Sequence, residues 1–221
     1  HSFPTRRSSD LTFDELKLND DYRAQMFRYT NSFKEARFLR AYFYFNLVRA
    51  YGDVPYFTEM VTTDQVNSLT RTPAQEIFNA IIAECDKLST ELPADYTKLG
   101  LDGIAPAENG RVTCYAALAL KARAALYAAS PLFNPENNKD LWRRAAEANK
   151  EVIETCTANG FKLSKYSELW GPNNWSNNEM IFVRRYNGNI STLEEYNFPM
   201  GVPGGNSGNC PTQNMVDAYE M

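Results

Sequence analysis

The stretch Glu35–Phe57, EARFLRAYFYFNLVRAYGDVPYF, decides the fold of this 221-residue chain. Its first part, through Tyr51, reads as a helix with apolar residues on nearly every side. The polar positions form only a narrow strip, made of Arg37, Arg40, Tyr44, Asn46 and Arg49. Because a helix that is apolar most of the way round must be covered from several directions, we expect neighbours on several sides of it.

The end of this helix is marked by a glycine and a proline. Gly52 can leave a helix in the left-handed conformation without a Cβ penalty, and Pro55 bars any continuation. The segment therefore predicts a central helix with a sharp stop and a short extended exit, VPYF. Upstream, residues 13–33 predict a helix, or a helix and a loop, that packs against the central helix through Phe13, Leu16, Met26 and Phe27.

Three more helices follow along the chain. Thr72-Pro73 predicts a helix start with Thr72 as the N-cap, and this helix runs to about residue 92. The next spans about residues 113–130 and is rich in alanine, and the last spans about residues 139–158. These helices form two successive pairs, and the second pair resembles a tetratricopeptide unit.

After residue 160 the composition changes to that of loops. The run Glu179–Tyr186, EMIFVRRY, predicts a buried strand from its β-branched and aromatic content. Residues 199–211 contain too much glycine, proline and asparagine for regular structure. The predicted fold class is therefore mostly α, with an irregular, loop-rich region and a little β.

Composition argues against several functions. The formal net charge is −4 and no basic block stands out, which disfavours nucleic-acid binding. No apolar run is long enough to span a bilayer. The four cysteines show no CxxC pair and no zinc-like spacing, and three of them fall inside predicted helices, where small buried thiols are the norm.

Residues 1–11, HSFPTRRSSDL, resemble a sequencing adaptor translated in one reading frame, so we exclude them from fold reasoning. They contain His1, the single histidine. The rest of the chain can supply neither a Ser-His-Asp triad nor a histidine-ligated metal, and we expect no cofactor. We also expect the chain to be a fragment that lacks both natural ends.

The central stretch is similar to the N-terminal signature of the SusD/RagB family, through Glu35–Ala41 and Tyr51–Pro55. The run GRVTCYAALALKARAALYAASPLFN, which begins at Gly110, is similar to the second family signature. The end of the chain, Pro211–Met221, resembles a third, with Met215 in place of the usual leucine. The resemblance therefore extends over residues 35–221, in the order of the family.

This resemblance implies a fold and a function. It implies a SusD-like α-α superhelix of tetratricopeptide-like pairs over residues 12–160, followed over residues 161–221 by the truncated start of a loop-rich C-terminal region. It further implies a Bacteroidetes lipoprotein on the cell surface, held in the outer membrane by an N-terminal lipid anchor that this fragment lacks. Such a protein binds a glycan, passes it to a SusC-like TonB-dependent transporter for nutrient uptake, and is not an enzyme.

The segment from Trp170 to Tyr186 offers what a glycan site needs. Flat apolar rings pack on sugar faces, amides hydrogen-bond the hydroxyls, and binding residues are found disproportionately in loops. The candidate ligand-binding residues are Trp170, Asn174, Trp175, Asn177 and Tyr186. The alternative for Trp170 is that, with Leu169, it anchors the loop on the helical scaffold.

Two other functions stay open at this point. Helix pairs of this kind also form scaffolds that bind proteins or peptides. A helical glycoside hydrolase would need two carboxyl groups roughly 5 to 10 Å apart across a cleft, and the adjacent Glu194 and Glu195 would face different directions. Arg37, Arg40 and Arg49 are predicted to pair with carboxylates of neighbouring helices.

Overall fold

The computed structural model describes residues 20–100, 110–170, 177–183 and 196–219. The chain divides into two compact units, residues 1–183 and residues 184–221. The first contains the helices α1 (Asp20–Tyr51), α2 (Thr63–Val66), α3 (Ala74–Glu91), α4 (Cys114–Ala129) and α5 (Lys139–Ala158), with short 3₁₀ turns at Tyr96–Lys98 and Tyr166–Trp170. The mostly α fold class is confirmed, whereas the tetratricopeptide-like geometry and the domain boundary at residue 160 stay predictions.

Helix α1 is a single element of 32 residues. The segment before Glu35 therefore continues the central helix, and the prediction that it packs against that helix through Met26 and Phe27 is wrong; Phe13 and Leu16 lie outside the described residues. No glycine or proline interrupts Asp20–Tyr51. The hydroxyls of Thr30 and Ser32 donate to carbonyls one turn earlier, so both are hydrogen-bonded within the helix.

The core lies where α3 packs on one face of α1 and on one face of α4. Helix α1 contributes Phe38, Phe45 and Val48, which are fully buried, and α3 contributes a matching row with Phe78 at its centre. Helix α4 packs between α3 and α5. Alanines on α4 meet alanines of α5 in a second small cluster, formed by Ala122, Ala125, Ala129, Ala145 and Ala148, and small side chains allow this close approach.

The opposite face of α1 is open to solvent, although its residues are apolar. Phe43 is 60% exposed and Tyr51 is 73% exposed, and Leu39 and Leu47 are also exposed. The expectation of cover on several sides is therefore wrong. Helix α1 contacts α3 and, less extensively, α4, and these helices can bury only the stripe that faces them.

The start of α3 is fixed by a residue from the turn after α1. The backbone N–H of Ala74 donates to Oδ1 of Asp53 at 2.8 Å, and Pro73 occupies the N-cap position. Thr72 instead pairs with Val54 in an isolated antiparallel bridge, so its prediction as the N-cap is wrong. The bridge confirms the extended exit after α1, and Gly52 has the predicted left-handed conformation, with φ of 70°.

The described part of the predicted strand, residues 179–183, forms turns and bends. The N–H of Met180 donates to the carbonyl of Asn177, a local bond in place of a ladder, so the strand prediction is wrong for these residues. A strand needs a partner strand to satisfy its backbone, and this run has none among the described residues. Residues 184–186 lie outside the described residues.

The second unit is described over residues 196–219. This described part contains turns, an isolated bridge between Met200 and Val202 and the short helix α6 (Gln213–Asp217), which Thr212 caps by accepting from the N–H of Met215. The irregular structure predicted for residues 199–211 is confirmed. Within the described ranges, no helix has both the length and the apolar character that crossing a membrane requires.

Candidate ligand-binding groove

A groove of about 750 Å³ lies in the first unit, beside the beginning of α4. Residues 130–138 join α4 to α5, and the first residues of α4 and the segment that follows α5 lie at the same end of the pair, where the rings of Tyr115 and Phe161 meet. The loop that contains the 3₁₀ turn at Tyr96 and the turns at residues 177–183 complete the wall. The described lining comprises residues 94–99, 110, 111, 113, 115, 159–161, 177, 178 and 180–183.

Four aromatic residues line the groove, Tyr96, Tyr115, Phe161 and Phe182, and two of them, Tyr115 and Phe161, form a pair. Their ring centroids lie 4.9 Å apart with an interplanar angle of 63°, the edge-to-face arrangement that aromatic pairs prefer. Tyr115 is buried, whereas Phe161 is half-buried. The N–H of Phe161 donates to the carbonyl of Cys156 at the end of α5, which holds the ring at the groove.

The polar part of the groove contains Asn177 and Asn178. The Oδ1 atom of Asn177 accepts from Oγ of Ser164 at 2.6 Å and from the N–H of Glu179 at 2.9 Å. Since the oxygen is used to shape the turn, any ligand contact from this side chain comes from its Nδ2 group, which donates to no described residue. Asn178 is exposed, and its carbonyl accepts from the N–H of Lys162.

Asn177 is thus the predicted ligand residue whose side chain is seen in the groove. The backbone of Trp170 ends the 3₁₀ turn Tyr166–Trp170, and its side chain lies outside the description. Asn174, Trp175 and Tyr186 also lie outside the described residues. A ligand role stays a prediction for all five residues, Asn177 included.

A polar network that connects the groove wall to α1 was missed by reasoning from the sequence. The hydroxyl of Tyr96 donates to the carbonyl of Val112 at 2.8 Å and accepts from Nδ2 of Asn31 at 2.9 Å. Arg111 pairs with Glu35 at 2.5 Å. Burial raises the pKa of Tyr96 far above its usual range, so the hydroxyl keeps its proton and remains a donor. One signal in the sequence pointed to this network: Glu35 belongs to the N-terminal family signature and Arg111 to the second.

The rim of the groove is stiffened by Asp95. Its Oδ1 accepts from the N–H of Thr97 at 2.8 Å and from the Thr97 hydroxyl at 2.6 Å, and Lys98 lies 3.2 Å from Oδ2. The hydrogen bond from the Thr97 side chain, followed by contributions from its N–H and from Lys98, lowers the pKa of Asp95. The carboxylate therefore stays ionised and holds the turn closed.

The three arginines of α1 behave differently from one another. Arg37 pairs with both Glu84 and Glu91 at 2.6 Å, which confirms its prediction. Arg40 lies 3.9 Å from Glu84 and donates to the carbonyl of Thr58. Arg49 lies over the ring of Phe45, with its Cζ 5.9 Å from the ring centroid. Among the described residues it contacts this ring and not a carboxylate, in contrast to the prediction.

The site has no arrangement typical of a metal centre in the part of the chain that the structure describes: no group of three or more histidine, cysteine, aspartate or glutamate side chains is placed to hold an ion. What the described groove offers is four aromatic side chains beside side-chain amides, hydroxyls and two ion pairs. Such a surface is suited to binding a polar ligand that also has apolar faces.

Comparison with known proteins defines the class. Residues 8–126 match the sequence profile of a SusD-like family described as starch-binding and associating with the outer membrane. This match covers more than half of the chain, and the chain belongs to the SusD-like family.

Individual relatives agree with this. SusD-like protein P25 of Formosa agariphila is 25% identical over 149 residues, which cover 67% of this chain and 24% of the relative. A crystal structure of a SusD-like protein from Bacteroides fragilis is 29% identical with a TM-score of 0.54, covering 69% of this chain and 27% of that one.

A second structure from Bacteroides fragilis is described as a SusD-like carbohydrate-binding protein. It is 28% identical with a TM-score of 0.52, and the match covers 67% of this chain and 26% of that one. This chain therefore spans about a quarter of the length of the relatives that it matches.

Proposed function

We propose that this protein binds an oligosaccharide at the cell surface and delivers it to a SusC-like TonB-dependent transporter for nutrient uptake. The description of the family as starch-binding and outer-membrane-associated supports the ligand class and the location. The relative described as carbohydrate-binding supports the ligand class further. A lipid anchor in the outer membrane and the transporter partner are part of the proposal and come from the family resemblance.

The observation that carries the proposal is the groove with Tyr115 and Phe161 beside Asn177 and Asn178. Its volume of about 750 Å³ lies within the range of small-molecule sites, roughly 300–1,000 Å³. The C–H face of a sugar ring packs on an aromatic ring, while its hydroxyls hydrogen-bond amides. Trp170, Asn174, Trp175 and Tyr186, which are close in sequence to Asn177, are proposed to extend this surface.

The carboxyl groups of the groove are consistent with a protein that binds a glycan without hydrolysing it. Asp95 is the one carboxylate among the described lining residues. Its lowered pKa is the opposite of what a general acid for glycoside cleavage requires. Release of reducing sugar by the purified protein would speak for hydrolysis instead.

The test is glycan retention by the purified chain and its variants in affinity gels. We expect Phe161→Ala to weaken retention about tenfold, the effect of losing one good stacking contact of about 1.4 kcal/mol. The matched control is Phe33→Ala, which removes an exposed phenylalanine of α1 and should leave retention unchanged. If the wild-type chain retains none of a broad panel of glycans, the proposed function is wrong.

A second function is favoured by the exposed apolar face of α1. Tyr29, Phe33, Phe43, Leu47 and Tyr51 are all more than 40% exposed, and exposed apolar patches mark protein interaction sites. The chain would then act as a helical-repeat scaffold without glycan binding. Folded wild-type protein that retains no glycan but binds a protein partner, with binding lost in Phe43→Asp, would support this function.

A further inference from the structure

The groove contains charged groups, and each cation in its described lining has an acidic partner. Asp95, Lys98 and Arg111 are the charged residues of that lining. Lys98 lies 3.2 Å from Asp95, and Arg111 lies 2.5 Å from Glu35, which stands behind the wall on α1. The four charges sum to zero, so this part of the groove presents no excess charge to a ligand.

Glu35 is held firmly in this position. Its Oε1 atom accepts from Nδ2 of Asn31 at 2.8 Å and lies 3.2 Å from the hydroxyl oxygen of Tyr96, while Oε2 accepts from Arg111. Its side chain is 15% exposed, and Asn31 is 2% exposed. Both carboxylate oxygens are therefore occupied, and the side chain is packed on the side away from the groove.

This arrangement affects acidic and neutral sugars differently. A uronate or a sulfate would have to compete with Glu35 for Arg111, and with Asp95 for Lys98, so most of its Coulomb attraction would be lost. A neutral sugar can bind the amides and the aromatic pair without separating either ion pair. Its affinity would also depend little on salt.

We propose that the groove selects neutral oligosaccharides over uronic-acid or sulfated ones, and that Glu35 is the residue that determines this selectivity by compensating Arg111. The inference rests on the proposed glycan binding. Glu35 does not line the groove and acts through Arg111. Its effect is therefore measured as the ratio of the affinity for an acidic oligosaccharide to the affinity for a neutral one.

The decisive variant is Glu35→Gln, which keeps an oxygen to accept from Asn31 but removes the negative charge opposite Arg111. The probes are a neutral oligosaccharide and a uronic-acid oligosaccharide of the same length, measured by calorimetry at about 50 and 500 mM salt. We expect the acidic-to-neutral affinity ratio to rise about five- to tenfold at low salt and to fall back at high salt, as for a partly exposed charge contact. A purely structural role would weaken both ligands together and leave the ratio unchanged, which would overturn the inference.

Two further variants complete the test. Glu84→Gln is the matched control, because Glu84 is a comparably buried carboxylate that pairs with Arg37 away from the groove, and its ratio should equal that of the wild type. Arg111→Gln leaves Glu35 uncompensated and should lower the ratio, which keeps the inference testable if Glu35→Gln does not fold. A ratio that rises in Arg111→Gln contradicts the inference.

The outcomes separate this inference from the function on which it rests. Wild-type protein that prefers the uronic-acid ligand would overturn the selectivity while leaving glycan binding intact. Wild-type protein that binds neither probe nor any other glycan would overturn the proposed function itself.

Discussion

The helical part of the first unit and the described segment 196–219 are stabilised in different ways. In the helical part, Phe38, Phe78 and Ile77 are at most 1% exposed and are packed between helices. In the segment, every described residue is exposed or half-buried, and order comes from backbone bonds such as Ser207 N–H to the carbonyl of Phe198 and Asn209 N–H to the carbonyl of Tyr196.

This difference shows which substitutions each region tolerates. A buried side chain is surrounded by close-packed neighbours, so its removal leaves a cavity. Removal of an exposed side chain on a hydrogen-bonded turn leaves no cavity, and it lowers stability only if it disturbs the geometry of the turn. The same chemical change is therefore expected to have unequal consequences in the two regions.

Thiol reactivity should show the largest contrast. Cys85 of α3 is buried, and burial raises its pKa to about 12, whereas Cys210 is exposed. At pH 8 a thiol with a pKa of about 12 is ionised in only about one molecule in ten thousand. We expect an alkylating reagent to label Cys210 at least a hundredfold faster than Cys85, as measured by mass spectrometry over time.

Unfolding the protein before labelling provides the control, because all four cysteines should then react at similar rates. Rapid labelling of Cys85 in the folded protein would contradict the packing of α3 against its neighbours.

Truncation of a core phenylalanine should have the next largest effect. Phe78→Ala removes a ring that lies between those of Phe45 and Phe133, and it should lower the free energy of unfolding by about 3–5 kcal/mol. Phe198→Ala in the segment, where the ring is 44% exposed, should change it by no more than about 0.5 kcal/mol. Urea denaturation followed by circular dichroism measures both, and equal losses would refute the comparison.

Loss of the side-chain cap on α3 should have the smallest effect. Asp53→Ala leaves the N–H of Ala74 without its acceptor and should lower the free energy of unfolding by about 1 kcal/mol. Asp53→Asn keeps an acceptor oxygen and is expected to restore most of this stability. If the alanine variant is as stable as the wild type in the same urea titration, the cap does not contribute.

Much of the helical fold could be predicted because strong local signals set its limits. Pro93, Pro131 and Gly160 stop α3, α4 and α5, and the predicted span of α5 coincides with Lys139–Ala158. The full length of α1 was missed because Thr30, Asn31 and Ser32 resemble a loop. The hydroxyls of Thr30 and Ser32 donate to carbonyls of the same helix, and Nδ2 of Asn31 donates to the hydroxyl of Tyr96.

The candidate groove was predicted only in part. Asn177 was identified because amides cluster in its segment, and this signal is local. Glu35, Tyr96 and Arg111 come from three separate places in the chain, and no spacing rule connects residues that are 61 and 76 positions apart.

The sequence by itself determined the helical class, the stops of the helices and the family, because each depends on local residue patterns or on long runs of specific residues. Only the tertiary structure decided which face of α1 is buried, which residue caps α3, and which charges meet at the groove. Those outcomes depend on the packing of distant segments, where the free energy of a contact is set by the neighbour that the fold supplies.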